Sequence, residues 1–320
     1  RSVVDRAEHL RRDPQALEAL WERARVIHFD GEKFLTDKDS GLLKYVKSFE
    51  APDNGDEFFL GLDEGQPYFL FISPQISGES ENYKTLREIG GTLDELQIGL
   101  AVHSQGLANW HKKHPRCSTC GAPTAPALGG STRKCDQCST EHYPRTDPAI
   151  IVLVKDRDDR ILLGRQKVWP EHRFSTFAGF VETGESFEQC VSREVAEEAG
   201  VLVDDVKYLG SQPWPFPASL MIAFEATILD PENARPDGEE IEEIRWFDRD
   251  SIIEEIVAGA AADDVKAGDR LARELLEFAE ALAVEQGEAL EDASGDRTDA
   301  FGNRLGSLAA ILGDARGHSA

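Results

Sequence analysis

The residues best placed to do chemistry are three glutamates, Glu194, Glu197 and Glu198, spaced i, i+3 and i+4. Ser186 can cap a helix here, with Gln189 three residues on to answer it, and Gly200 supplies a left-handed stop. The spacing therefore predicts a helix from Phe187 to Ala199. Phe187, Val191 and Val195 recur every four residues, with Cys190 and Ala199 beside them, and form an inward apolar stripe. The glutamates then share a patch of the other surface, in the last two turns. Each like-charge neighbour costs about 0.2–0.5 kcal/mol there, and the negative end of the helix dipole adds to it. Two readings are open. An acidic chain can place Glu on any solvated helix face, or the patch holds a hard divalent cation such as Mg²⁺, which prefers carboxylate oxygens and bridges to phosphates.

A second set of ligand-type residues is Cys117-Ser-Thr-Cys120 and Cys135-Asp-Gln-Cys138, two knuckles fourteen residues apart. Four thiolates at ~2.3 Å close a tetrahedral shell around Zn²⁺ with no open position, which makes the site structural. Disulfides fit less well, because the first thirty residues lack the uncharged apolar run of a secretion signal. A redox motif needs one CxxC beside a βαβ pattern. Cys190, the fifth cysteine, reads as core. His103, His111 and His114 lie toward the end of a helix expected over Asp94 to His114, and read as structural or solvated rather than as metal ligands.

The third stretch is Ser211-Gln212-Pro213-Trp214-Pro215-Phe216-Pro217-Ala218-Ser219. Prolines at every second position fix φ and leave an extended backbone with little entropy to lose on binding. Trp214 and Phe216 on such a strip can sandwich a flat base, while Gln212 and Ser219 hydrogen-bond it. The alternative is a Pro-rich turn whose aromatics belong to a core.

Around these groups the pattern predicts strands over Glu57 to Leu62 and Gln66 to Ser73, joined by the turn Asp63-Glu64-Gly65. Further strands are expected at Ala149 to Lys155 and Arg160 to Gly164, and near Phe174 to Val181, Val206 to Gly210, Leu220 to Leu229 and Ile241 to Phe247. The 320 residues suffice for two medium domains and a smaller unit. A net charge of −25 argues against a bulk nucleic-acid surface, since that affinity rests on Lys and Arg. No run reaches the ~20 apolar residues of a membrane span, so a soluble, cytoplasmic enzyme is expected.

Gly179, five residues, Glu185, seven residues, Arg193-Glu194-Val195, one residue, Glu197-Glu198, one residue, Gly200-Val201 resembles the complete signature of the Nudix hydrolases. The resemblance implies an α/β fold, the Nudix α/β/α sandwich with a mixed sheet. It implies two or three Mg²⁺ or Mn²⁺ ions held by Glu194, Glu198 and the carbonyl of Ala178, Glu197 as a further ligand or base, Arg193 bracing the carboxylates and Glu185 behind them. The implied reaction is hydrolysis of a pyrophosphate by an activated water.

Downstream, SQPWPFP followed by Ala218-Ser219, together with the zinc knuckles, resembles the marker of the NADH pyrophosphatase subfamily. That implies homodimers that split NAD(H) into AMP and nicotinamide mononucleotide and in some cases remove NAD caps from RNA, with one structural Zn²⁺ per chain. By matching positions it implies substrate contacts at Tyr143, Phe180, Gln212, Pro213, Trp214, Pro215, Phe216, Pro217, Ala218, Ser219 and Ala272. Glu240, six residues before Trp246, becomes a further metal ligand, with Glu239 and Glu243 as near alternatives. The implied organisation is an N-terminal α+β domain (1–115), a zinc ribbon (116–145), a Nudix domain (146–285) and an acidic tail (286–320). Rival readings are a Nudix hydrolase for ADP-ribose or another dinucleotide, and a non-catalytic nucleotide-sensing scaffold.

Overall fold

A computed structural model of the chain describes residues 3–51, 54–76, 78–169 and 173–248. Ala272 and the tail 286–320 lie outside the described residues. The chain forms two compact units, Arg1–Thr146 with Trp214–Ala218, and Asp147–Pro213 with Ser219–Ala320.

In the first unit, α1 (Pro14–Trp21) precedes β1 (Arg25–Phe29), β2 (Phe34–Leu35), β3 (Tyr45–Lys47), β4 (Asp56–Asp63), β5 (Gln66–Ile72) and β6 (Tyr83–Lys84). They form one mixed sheet in the order β4-β5-β1-β2-β6, with β3 on β1 and with β1 parallel to β5. Asp63 pairs with Gln66, so the hairpin closes through Glu64 and Gly65 alone. Both have positive φ (47° and 80°), as a two-residue turn matched to strand twist requires. After α2 (Leu86–Ile89), helix α3 (Glu95–Lys113) starts at Asp94, whose carboxylate accepts from the Gln97 N–H at 2.7 Å. It buries Leu100, Leu107 and Trp110, three of the positions its spacing marks as apolar.

The cysteine segment folds as a three-stranded antiparallel sheet of β7 (Thr124–Ala127), β8 (Thr132–Cys135) and β9 (Glu141–His142). His111 ties it to α3. Its Nε2 donates to the Gly130 carbonyl (2.7 Å) and its Nδ1 accepts from Arg133 (2.8 Å), while its ring stacks on Phe58 at 4.2 Å. With one nitrogen donating and one accepting, and burial lowering its pKa, His111 is a neutral structural group.

The second unit holds β10 (Asp147–Lys155), β11 (Ile161–Gln166), β12 (Phe177–Phe180), α4 (Phe187–Ala199), β13 (Val203–Trp214), β14 (Ser219–Ile228) and β15 (Ile241–Phe247). Its sheet runs β13-β14-β10-β11-β15, with β12 also on β10. The β10–β14 pair is parallel and the pairs of β10 with β11 and β12 are antiparallel, so the sheet is mixed. Residues Ala149 to Val154 are buried without alternation, which means both faces of β10 are covered. The face carrying Ile150, Val152 and Val154 packs on Val191 and Val195 of α4. Among the described residues α4 is the one helix on this sheet.

Three local expectations change. The strand expected from Phe174 to Val181 shortens to β12, because Ser175 instead bridges to Gly164. The strand expected to end at Gly210 continues to Trp214. β13 is an edge strand, the place in a sheet where a proline such as Pro213 is tolerated. Phe187 opens α4 but does not join its buried stripe; it is 41% exposed, its ring against Phe224 at 6.5 Å.

Candidate active site

Helix α4 begins at the capping box expected from Ser186 and Gln189 and ends at Gly200, whose φ is 68°. Cys190, Val191, Val195 and Ala199 are fully buried beneath it, which fixes the rotation of its acidic face. That face is not simply solvated. The Glu197 side chain is 60% exposed, but Glu194 keeps only 12%, and Glu198 is buried at 5%. Carboxylates so far from water demand compensation, which decides against the solvated-face reading for Glu194 and Glu198.

Arg193 supplies part of it. Its Nε and Nη2 donate to the two oxygens of Glu185 (2.8 and 3.0 Å), and its Nη1 donates to Glu194 (2.9 Å) and Glu197 (3.0 Å). Nη2 also reaches the Phe180 carbonyl at 3.0 Å, tying the helix to β12. The bidentate contact holds the Glu185 carboxyl down at about 2. One guanidinium thus serves three carboxylates, and the cluster keeps an excess of negative charge. Behind it, burial pushes the Cys190 thiol up to about 12, which leaves a neutral packing group.

The first glycine of the motif has a steric reason. A β-carbon at Gly179 would fall on the Glu194 carboxylate. Gly179 pairs with Ile150 and Ala178 with Ile151, so a buried strand carries this part of the loop. We expect Gly179→Ala to displace Glu194 and lower turnover roughly 100-fold, since misplacing a catalytic group by about 1 Å costs that much. Steady-state kinetics beside a melting curve checks it, the melting temperature changing little.

Glu240 lies just before β15 and accepts from Gln166 Nε2 at 3.1 Å. Its neighbours are engaged with cations: Glu242 with Arg165, and Glu243 with Arg165 (3.5 Å) and Arg245 (2.9 Å). Among the described residues no cation pairs with Glu240. The donors on α4 and at Glu240 are hard oxygens in charge excess, the chemistry that suits Mg²⁺ or Mn²⁺. Among the described residues, only the four cysteines bring three or more ligand atoms within 4.8 Å of one another.

In that cysteine cluster Cys117 and Cys138 lie 3.5 Å apart, as do Cys120 and Cys135. A tetrahedron with arms of ~2.3 Å has edges of about 3.8 Å, so the set fits zinc. All four thiols are free of disulfides.

Tyr143 is 66% and Phe180 is 47% exposed, and each presents an aromatic ring to solvent. The strip differs from its expected form. Trp214 and Phe216 meet edge to face at 5.0 Å, and Phe216 packs on the core of the first unit, so the two rings do not flank a slot. Arg87 lies over both, 4.2 Å from the Phe216 ring and 5.6 Å from that of Trp214. Asn109 donates to the carbonyls of Pro215 (2.9 Å) and Pro217 (3.0 Å). Arg87 and Asn109 carry no motif, and their sequence separation from the strip hides them from any reading by spacing.

Known proteins give the same picture. Residues 145–268 match the NUDIX domain and residues 112–143 the NADH pyrophosphatase zinc ribbon domain. The chain is 40% identical over 267 residues to the NAD-capped RNA hydrolase NudC of Mycobacterium bovis, covering 80% of this chain and 84% of that protein. It is 38% identical over 233 residues to the NAD-capped RNA hydrolase NudC of Stutzerimonas stutzeri, covering 71% and 82%. A NUDIX hydrolase structure from Nitrosomonas europaea aligns with 42% of this chain and 78% of its own, at a TM-score of 0.36 and 26% identity. A continuous α4 signature, a zinc ribbon ahead of it and relatives matched over most of their length place this chain in the Nudix hydrolase family, in the branch that carries the NADH pyrophosphatase zinc ribbon.

Proposed function

We propose that the protein hydrolyses the pyrophosphate of NAD(H), giving AMP and nicotinamide mononucleotide, and removes NAD caps from RNA. What carries this reading is that α4 packs Glu194 and Glu198 almost out of solvent, with Arg193 donating to Glu194. Such carboxylates are of use to a cation-dependent phosphate chemistry and of little use to a scaffold. The relatives named NAD-capped RNA hydrolase supply the substrate class.

In this reading Glu194, Glu198, Glu240 and the Ala178 carbonyl hold Mg²⁺ or Mn²⁺, which offsets phosphate charge and activates water when bound. Arg193 and Glu185 fix the direction of the Glu194 and Glu197 oxygens, and Glu197, the exposed member, can take up a proton from water. Gln166 orients Glu240. Tyr143 and Phe180 offer ring faces to the bases, and Gln212 to Ser219 line the nucleotide. Ala272, outside the described residues, is a further contact in this reading.

The protein acts as a cytoplasmic homodimer, with the division 1–115, 116–145, 146–285 and 286–320 given above. No helix among the described residues is long and apolar enough to cross a membrane. At a net charge of −25, binding of capped RNA depends on the cap and its first nucleotides, and the salt slope is shallow.

The test is Mn²⁺-dependent release of AMP from NADH, with ADP-ribose and NAD-capped RNA in parallel. AMP from NADH and from the capped RNA is expected. Turnover of ADP-ribose in preference to both overturns the reading.

A further inference from the structure

The proline strip raises a question that its own residues do not answer. Beyond Trp214, where β13 ends, Pro215 and Pro217 donate no backbone hydrogen bonds, so this part of the strip cannot be held as a strand is held. Its carbonyls must find donors elsewhere. Within the strip, Phe216 N–H donates to the Trp214 carbonyl at 2.7 Å. The next carbonyls, of Pro215 and Pro217, both accept from one amide, Asn109 Nδ2.

The orientation of that amide is dictated by its partners. Carbonyl oxygens only accept, so Asn109 must turn its NH₂ to the strip and its Oδ1 away. Oδ1 then accepts from Gln105 Nε2 at 3.1 Å, one helical turn earlier on α3. Gln105 is buried at 7% exposure, so the amide that holds the strip is itself held. On the same face, a β-carbon at Gly106 would only just touch Pro215, which shows how closely the strip lies on α3. Arg87 covers the outer side of both aromatic rings.

We propose that Asn109 is a positioning residue for nucleotide binding, with Gln105 orienting it and Arg87 pinning the rings. Asn109, Gln105 and Arg87 belong to the same compact unit as Trp214–Ala218, so the proposal concerns how that unit holds its own strip. These contacts preorganise Trp214 to Pro217, so that nucleotide does not have to order them on binding. The proposal rests on the reading of the strip as a nucleotide contact, given above.

Asn109→Asp keeps the shape and replaces the donating NH₂ by an oxygen that repels both carbonyls. We expect KM for NADH to rise about tenfold and kcat to stay within about twofold, because the residue acts on binding and not on the reacting atoms. Arg87→Ala, at an exposed position, should raise KM by a smaller factor. The second readout is the Kd for NAD⁺ by calorimetry in magnesium- and manganese-free buffer, expected to weaken by the same factor in Asn109→Asp. Amide exchange at Phe216 should accelerate in that variant alone. A wild-type protein that binds NAD⁺ but does not cleave NADH would sink the proposed function. The positioning role would then be decided by the Kd comparison. An unchanged KM and Kd, or a kcat that falls with KM unmoved, overturns the positioning role.

Discussion

Glu198→Gln should cut turnover of NADH roughly 10³-fold, a loss of about 4 kcal/mol in transition-state stabilisation. The substitution preserves shape at a site with 5% exposure, removes the charge and exchanges one accepting oxygen for a donating NH₂. A stability role would lower the melting temperature. The account predicts the opposite sign, because neutralising one member of the Glu194–Glu197–Glu198 cluster relieves like-charge repulsion on α4. Fluorimetric melting beside steady-state kinetics separates the two. Near-normal turnover would refute the assignment of Glu198.

Arg193→Ala should be nearly as damaging to activity and, unlike Glu198→Gln, should also destabilise the fold. Removing the guanidinium takes away the ion pairs it makes with Glu185, Glu194 and Glu197. With the Arg193 side chain 24% and that of Glu197 60% exposed, water screens part of these ion pairs, so the melting temperature should fall modestly. Activity should fall at least 100-fold, since Glu194 loses the donor that orients it. Arg193→Lys restores charge but not the fork, and should recover stability better than turnover. The pH dependence follows from Glu185. Its folded-state pKa, about 2, lies below the ordinary 4.5, so its contribution to stability is complete above about pH 4.5 and is lost as pH falls toward 2. In Arg193→Ala that acid-side slope should flatten, a difference read directly from melting curves between pH 2 and pH 5. A variant as stable and as acid-sensitive as the wild type would contradict the network.

Local chemistry was legible in the sequence, and long-range geometry was not. The ends of α4 follow from Ser186, Gln189 and Gly200 because capping is decided within one turn. The zinc ligands follow from knuckle spacing for the same reason. The hairpin at Glu64-Gly65 required only local φ preferences. Periodicity assigned Phe187 to the buried stripe, but it does not tell where the neighbouring sheet stops. Charge and spacing leave a solvated face and a cation site both open for Glu198, and only the packing of α4 shows it buried. For Trp214 and Phe216 the sequence leaves both an open sandwich and a core-packed turn possible, because the α3 contact that bears on the choice lies about a hundred residues away along the chain. The steric reason for Gly179 likewise emerges only once β12 and α4 are packed together.

The central claim is that α4 carries acidic side chains close together because dissolved cations belong among them. Crystals soaked with Mn²⁺ and AMP, measured at the manganese absorption edge, test it most directly. Anomalous peaks are expected against the carboxylates of Glu194, Glu198 and Glu240 and the carbonyl of Ala178. Nucleotide bound elsewhere, with no manganese along α4, would contradict the account.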